Sequence, residues 1–194
     1  MSENKKTLRQ VALAYRENLD HEKVQQISAR MQALSLNVLQ TSSPCTVAIY
    51  HPARGEPDLT GLVQQANLAM LDWALPVCCT MPTGKVLNFA RWRHGDPLVD
   101  GLYGIPVPEH MVWLQPEIIV LPCVAFHRTG RRLGYGAGWY DRTLSNLQIK
   151  PLTIGVAYAA TEAAQDFGEA HDHPVDIIIT EEEIIHVTGR SVPQ

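Results

Sequence analysis

Residues 130–142, GRRLGYGAGWYDR, bring together small residues and charged side chains in a pattern that suits anion chemistry. Gly134, Gly136 and Gly138 alternate, so side chains vanish at every second position. Such backbone approaches a ligand closely and can aim several N–H groups at one anion. A helix starting near Gly138 would add the positive end of its dipole. Arg131 and Arg132 supply full positive charge for phosphate oxygens. Asp141 supplies a hard oxygen of the kind Mg2+ takes beside phosphates. The segment therefore reads as a glycine-rich loop running into a helix and built to hold the phosphates of a nucleotide. A surface turn is the competing reading, because neither GxGxxG nor a Walker-type GxxxxGK(S/T) is present.

Other residues could complete such a site. Lys5, Lys6 and Arg9 (KKTLR) crowd cations at a helix start, where the dipole disfavours them. They read either as a solvated helix face or as contacts to an anionic partner. Glu56, in HPARGEPDL, follows a strand and sits in a turn. It is either an ordinary acid before a helix or a carboxylate at the sheet edge that hydrogen-bonds a polar heterocycle. His171, Asp172 and His173 precede DIIIT, a metal-capable trio without the spacing of a structural zinc site. A polar turn that orders the loop is the simpler account, and Asp176 at the start of the next strand could face the nucleotide. Most aromatics, among them Phe89, Trp92, Tyr103, Trp113 and Phe126, are expected in the core. Trp139 and Tyr140 differ, because a glycine loop cannot bury them on itself; they could wall a pocket for a flat ligand.

These residues need elements to position them. Apolar residues at helical spacing predict two helices over the first 40 residues, one carrying Leu8, Val11, Ala12, Tyr15 and Leu19 and one carrying Val24, Ile27, Met31 and Leu34. Asp20 is the expected N-cap between them. Short β-branched runs predict buried strands at 46–50 (TVAIY), 76–80, 86–92, 117–121 (EIIVL), 152–158, 176–180 (DIIIT) and 184–187. Helical periodicity at 59–73 predicts a strand–helix–strand unit, and a further helix is expected over 139–147. The expectation is an α/β fold: one domain spanning 1–194, a mostly parallel sheet flanked by helices, and an N-terminal helical arm. EIIVL would then place the glycine loop at a carboxyl edge, where open α/β sheets bind ligands.

Bulk composition narrows the classes. Of the 194 residues, 45% are hydrophobic and 19% charged, as in a soluble globular domain. The net charge of −4 offers no global field for nucleic acid. MSENKKTLRQ has no apolar run behind its charges, so no secretory signal is expected. No stretch approaches the roughly 20 apolar residues of a membrane span. Cys45, Cys78, Cys79 and Cys123 show no CxxC spacing and are expected to be reduced, buried thiols of a cytoplasmic protein. Nothing demands more than a monomer.

Together, LPCVAFHRTGRRLGYGAGWYDRTL and HDHPVDIIITE resemble the 5-formyltetrahydrofolate cyclo-ligase family, also called methenyltetrahydrofolate synthetases. KKTLRQ, AIYHPARGEPDL and YGIPVP extend the likeness over almost the whole chain, in the same order. The resemblance implies a parallel-rich α/β fold and ATP- and Mg2+-dependent closure of 5-formyltetrahydrofolate to 5,10-methenyltetrahydrofolate. It implies that Lys5 and Arg9 reach the ATP phosphates, and that Arg132, Leu133, Gly134, Tyr135, Gly136, Ala137, Gly138, Trp139 and Tyr140 form the ATP loop. Asp141 would bind Mg2+, with Asp176 a weaker second contact, and Arg132 and Asp141 would carry the catalysis. Glu56 would bind the pterin, and the stretch from Tyr135 to Trp139 would border the folate. The chain departs from the family pattern at His127, Cys123, Val107, Tyr135 and Ala137. A phosphotransferase on the same scaffold and a non-catalytic folate- or nucleotide-binding protein are the alternative functions.

Overall fold

The computed structural model describes residues 3–81, 84–169, 172–188 and 192. Two helices open the chain, α1 (Glu3–Glu17) and α2 (His21–Leu39). Asp20 separates them: its extended backbone cannot continue α1, and its Oδ1 accepts from Lys23 N at 2.7 Å. There follow β1 (Thr46–Ala48), β2 (Asp72–Met81), β3 (Gly84–Arg91), β4 (Leu98–Asp100), β5 (Pro106–Pro108), β6 (Trp113–Leu114) and β7 (Ile118–Pro122). Then come β8 (Ala125–Phe126), β9 (Arg132–Leu133), α3 (Trp139–Asn146), β10 (Leu152–Val156), β11 (Ile177–Ile179) and β12 (Ile184–His186).

Eight strands form one sheet in the order β12-β11-β10-β7-β1-β2-β3-β6. The inner five, β11, β10, β7, β1 and β2, are parallel. The edges are antiparallel: β12 on one side, β3 and β6 on the other. The α/β expectation with a mostly parallel sheet is therefore met. β4–β5 and β8–β9 are small antiparallel ribbons beside it.

Alternation along the strands divides the core. Ile118 and Val120 of β7 pack with Met31 and Leu39 of α2, together with Val47, Ile154 and Ile177. Ile119 and Leu121 face the opposite layer, with Leu144 of α3, Phe89 and Ile178. Strands buried on both faces read as continuous apolar runs, which is why EIIVL and DIIIT are so legible. A smaller cluster of Ala12, Val124, Ala125, Leu133, Ala163 and Phe167 fastens α1 to the β8–β9 ribbon.

Three expectations are overturned. Residues 59–73 form no α-helix; they make two short 3-10 turns, Thr60–Gln64 and Ala66–Leu68, and Trp73 already belongs to β2. Leu59, Leu62, Leu68 and Leu71 are all buried, and the spacing of three within each pair suits a three-residue turn better than a 3.6-residue one. The parallel crossover from β1 to β2 is thus built from tight turns. In α1, Val11 lies outward at 63% exposure, while Lys5, Ala12 and Arg16 are buried. The inward stripe of α1 is charged as well as apolar. Tyr103 and Trp113 are also exposed, unlike the core aromatics Phe89, Trp92 and Phe126.

Cap and core should differ in energetic weight. Asp20→Ala, at an exposed cap, is expected to cost about 1 kcal/mol. Ile154→Ala, in the middle of the sheet, is expected to cost about 2–5 kcal/mol. Urea unfolding followed by circular dichroism compares the two; equal losses would contradict a sheet-centred core.

Candidate active site

β1, β2 and β7 all point their carboxyl ends the same way, and a cleft of about 860 Å³ opens there. β1 delivers Tyr50 and the turn that carries Glu56. β2 contributes Pro76 and Cys78, and the tip between β4 and β5 contributes Leu102 and Tyr103. The chain leaving β7 folds into the β8–β9 ribbon, and β9 releases the glycine loop directly into α3. α1 closes the wall with Lys5 and Arg9.

The glycine loop has the conformation that its composition implies. Gly136 (φ +94°) and Gly138 (φ +66°) occupy left-handed backbone that side chains resist. Gly138 is the N-cap of α3, and no side chain caps it. The amides of the first turn have no intrahelical acceptor, and its residues Trp139, Tyr140 and Asp141 line the cleft at the positive end of the helix dipole. A Cβ at Gly138 would stand 2.7 Å from an Arg142 nitrogen, whereas one at Gly134 would meet open space. Arg9 steadies the loop by donating from Nε to Gly134 O at 2.8 Å.

Charged groups are paired around this helix end. Arg132 has a nearly buried side chain; it donates from Nη2 to Asp141 Oδ1 at 2.8 Å and from Nη1 to His173 O at 2.7 Å. The Asp141 carboxylate stays about one-third exposed (32%) toward the cleft. Lys5 is buried, and its Nζ lies 2.8 Å from Asp172 Oδ2 and 3.2 Å from Glu169 Oε1. Arg131 does not join them. It turns from the cleft to Asp172 O at 3.0 Å and to Asp166, because neighbouring residues of a strand point to opposite sides.

The other end of the cleft is organised around Glu56. Arg54 (φ +50°) and Gly55 (φ +70°) form a tight left-handed turn, closed by Glu56 N donating to Ala53 O at 3.0 Å. Glu56 is buried; its Oε2 accepts from Ala53 N at 3.0 Å and its Oε1 from the Tyr135 hydroxyl at 3.0 Å. Burial pushes the Glu56 carboxyl above the usual range, against the Ala53 amide, the Arg16 charge, the Tyr135 hydroxyl and Arg54. Burial likewise raises the Tyr135 and Tyr140 hydroxyls, so both are neutral donors at physiological pH.

The sequence-predicted residues Lys5, Arg9, Glu56, Arg132 and Asp141 and the loop from Leu133 to Tyr140 all line this cleft. Asp176 does not. It precedes β11 at the amino edge of the sheet, where Oδ2 accepts from Thr153 N and Oγ1 and Oδ1 accepts from Thr188 Oγ1. The acid of that segment that faces the cleft is Asp172, four residues earlier. His171 lies outside the described residues, and His173 Nε2 stands 2.8 Å from Ser145 Oγ. Among the described residues no three His, Cys, Asp or Glu side chains form a metal cluster. Cys45 and Cys123 are buried as expected, but Cys78 and Cys79 are only half-buried.

Sequence reasoning also missed Arg16, which is 3% exposed. Its Nη1 donates to the Tyr135 hydroxyl at 3.0 Å and its Nη2 to Cys123 O. The signal was present: Lys5, Arg9, Ala12 and Arg16 recur at intervals of four, three and four, one face of a helix.

Comparison with known proteins places the chain in a family. The family model described as the 5-formyltetrahydrofolate cyclo-ligase family matches residues 1–181. The 5-formyltetrahydrofolate cyclo-ligase of Haemophilus influenzae is 31% identical over 152 residues, 75% of this chain and 81% of that one. The Escherichia coli K12 protein of the same name is 31% identical over 141 residues, 70% of this chain and 77% of that one. The solution structure of Aquifex aeolicus 5,10-methenyltetrahydrofolate synthetase superposes with a TM-score of 0.78 at 31% identity, covering 98% of this chain and 96% of that one. A Mycoplasma pneumoniae 5,10-methenyltetrahydrofolate synthetase shares the fold, with a TM-score of 0.72 at 21% identity, over 91% of this chain and 98% of that one. Matched along nearly all its length in sequence and in shape, the chain belongs to the 5-formyltetrahydrofolate cyclo-ligase family.

Proposed function

We propose that this chain closes 5-formyltetrahydrofolate to 5,10-methenyltetrahydrofolate in the cleft described above, consuming ATP. One observation carries the reading: a single cleft joins an uncapped helix start, with Arg132 and Asp141 beside it, to a buried carboxylate, Glu56. The first end suits a polyphosphate and the second suits the N–H edge of a heterocycle.

The chemistry asks for positioning and charge neutralisation more than for a protein nucleophile. A formamide oxygen is a poor leaving group. Attack of that oxygen on the γ-phosphorus releases ADP and leaves a phosphorylated, imidate-like carbon. The 10-nitrogen then attacks this carbon and gives up its proton, and phosphate departs with the former formyl oxygen. The α3 amides and Arg132 would hold the phosphate oxygens, with Lys5 and Arg9 approaching from α1. Asp141 fits a hard cation, being a partly exposed carboxylate beside the phosphate-binding helix start. Bound there, Mg2+ would supply charge neutralisation on the phosphates. Glu56 would accept from the pterin N–H groups, with Trp139 bordering the folate.

The reading also carries a monomer working in a reducing cytoplasm. All four cysteines are free, which suits such a compartment. Among the described residues no helix is long and apolar enough to cross a membrane.

Given 5-formyltetrahydrofolate, ATP and Mg2+, the purified protein is expected to generate the near-ultraviolet absorbance of the methenyl product. No absorbance together with tight folate binding would instead indicate a binding protein, and ATP consumption with another acceptor a different phosphotransferase. Asp141→Ala should lower kcat by about a hundredfold or more with little change in melting temperature; near-normal turnover would remove Asp141 from metal binding. Arg132→Ala should raise the KM for ATP about tenfold or more, and an unchanged ATP dependence would count against its role.

A further inference from the structure

Arg16 is a charged group that the proposed reaction does not use. It sits in the last turn of α1, buried, with its guanidinium over the Tyr158 ring at 5.6 Å from the centroid. A pin between α1 and the strand layer would need only the contact from Nη2 to Cys123 O. Yet Nη1 is spent on the Tyr135 hydroxyl, and among the described residues Nε finds no partner. Burying a guanidinium with an idle donor is costly, so packing alone is a poor reason for its presence.

The contact continues beyond Tyr135. The hydroxyl accepts from Arg16 at 3.0 Å and therefore turns its own proton to Glu56 Oε1, also at 3.0 Å. The Arg54 guanidinium lies over the Tyr135 ring, 5.2 Å from its centroid, and holds the ring from the side. Arg16, Tyr135 and Glu56 thus form a linear chain of directed hydrogen bonds from α1, through the glycine loop, to the β1 turn.

We propose that Arg16 is a positioning residue for the heterocycle end of the cleft: through the Tyr135 hydroxyl it fixes the Glu56 carboxylate as an acceptor for substrate N–H groups. This rests on Glu56 being the pterin-binding carboxylate of the proposed function. A lone buried carboxylate would take up a proton and become a donor on one oxygen. Several groups face Glu56. Arg16 from α1, Arg54 in its own turn, the Ala53 amide and the Tyr135 hydroxyl favour its charged form. Tyr50 after β1, Cys123 after β7, Tyr140 of α3 and Tyr158 after β10 are neutral neighbours. Of the favourable groups, Arg16 and Tyr135 act from outside the β1 turn, so folding of α1 and closure of the loop set the acceptor.

The test uses the full chain. Tyr135→Phe removes one hydroxyl from a partly exposed loop, and Arg16→Lys and Arg16→Met vary the charge behind it. Equilibrium dialysis with 5-formyltetrahydrofolate alone gives Kd without turnover, and the methenyl assay gives KM for each substrate and the pH profile of kcat/KM. Tyr135→Phe is expected to raise the folate Kd and KM about tenfold while the KM for ATP changes less than about twofold. Losing a group that favours the carboxylate raises the pH at which Glu56 takes a proton, so the acid limb for folate should move to higher pH. Arg16→Met should move it in the same direction, with Arg16→Lys between it and the parent. Unchanged folate affinity and pH limb in Tyr135→Phe, or equal losses for both substrates, would overturn the proposal, even if Arg16→Met does not fold. A parent protein that makes the methenyl product while the variants show those results retains the function and loses only this inference. A parent that neither binds nor converts 5-formyltetrahydrofolate overturns both.

Discussion

The parallel pairing of β7 between β1 and β10 is the constraint on which the site depends. β7 is apolar and buried from Ile118 to Leu121, so its backbone groups must be satisfied by strands on both sides. Parallel pairing sends all three carboxyl ends to one edge. The chain cannot turn back directly between parallel strands, so each must leave that edge through a longer excursion. After β1 the excursion is the Glu56 turn and the 3-10 segment; after β7 it is the β8–β9 ribbon, the glycine loop and α3. The cleft is the space between these two excursions.

Electrostatics then gives its two ends different characters. Around the start of α3, two cations are matched by carboxylates: Arg132 by Asp141, and Lys5 by Asp172 and Glu169. Matched charges at a partly wet wall cost little to keep and can exchange carboxylate partners for phosphate oxygens. At the other end a single carboxylate is buried against tyrosines, in surroundings that oppose its charge. Hydrogen bonds directed at its two oxygens offset that cost, and their direction also decides how the carboxylate meets a ligand. One cleft thus offers two separate environments, one suited to a polyanion and one to a polar heterocycle.

α1 ties the ends together. Lys5 and Arg9 reach the glycine-loop end and Arg16 the carboxylate end, three cations along one stripe of a helix. The apolar residues of α1 hold it on Val124, Ala125 and Leu133, the strands that launch the glycine loop. Displacing α1 would therefore disturb both ends at once. The glycines contribute the complementary property: left-handed backbone at Gly136 and Gly138 lets the loop turn sharply between a rigid ribbon and a rigid helix.

Much of this was legible locally. The apolar β-branched runs specify buried strands, because a strand covered on both faces has no polar alternation to blur it. The Asp20 cap and the start of α3 at Gly138 follow from capping chemistry over a few residues. The resemblance carried by GRRLGYGAGWYDR pointed to one wall of the cleft, and Glu56, in the turn after TVAIY, lines the same cleft. Other features lay beyond local reach. The periodicity of 59–73 looked helical because spacings of three and four overlap over so short a span. Which of Asp172 and Asp176 faces the cleft depends on the sheet edge each occupies. Arg131 and Arg132 part company by strand alternation. The contact of Arg16 with Tyr135 arises only when α1 packs beside the glycine loop. The sequence by itself determined most of the elements, though not the 3-10 turns of 59–73, and the type of chemistry, since these rest on patterns within one segment. Only the tertiary structure decided which charges meet, because a hydrogen bond between residues 16, 135 and 56 is a property of three distant segments and of no one of them.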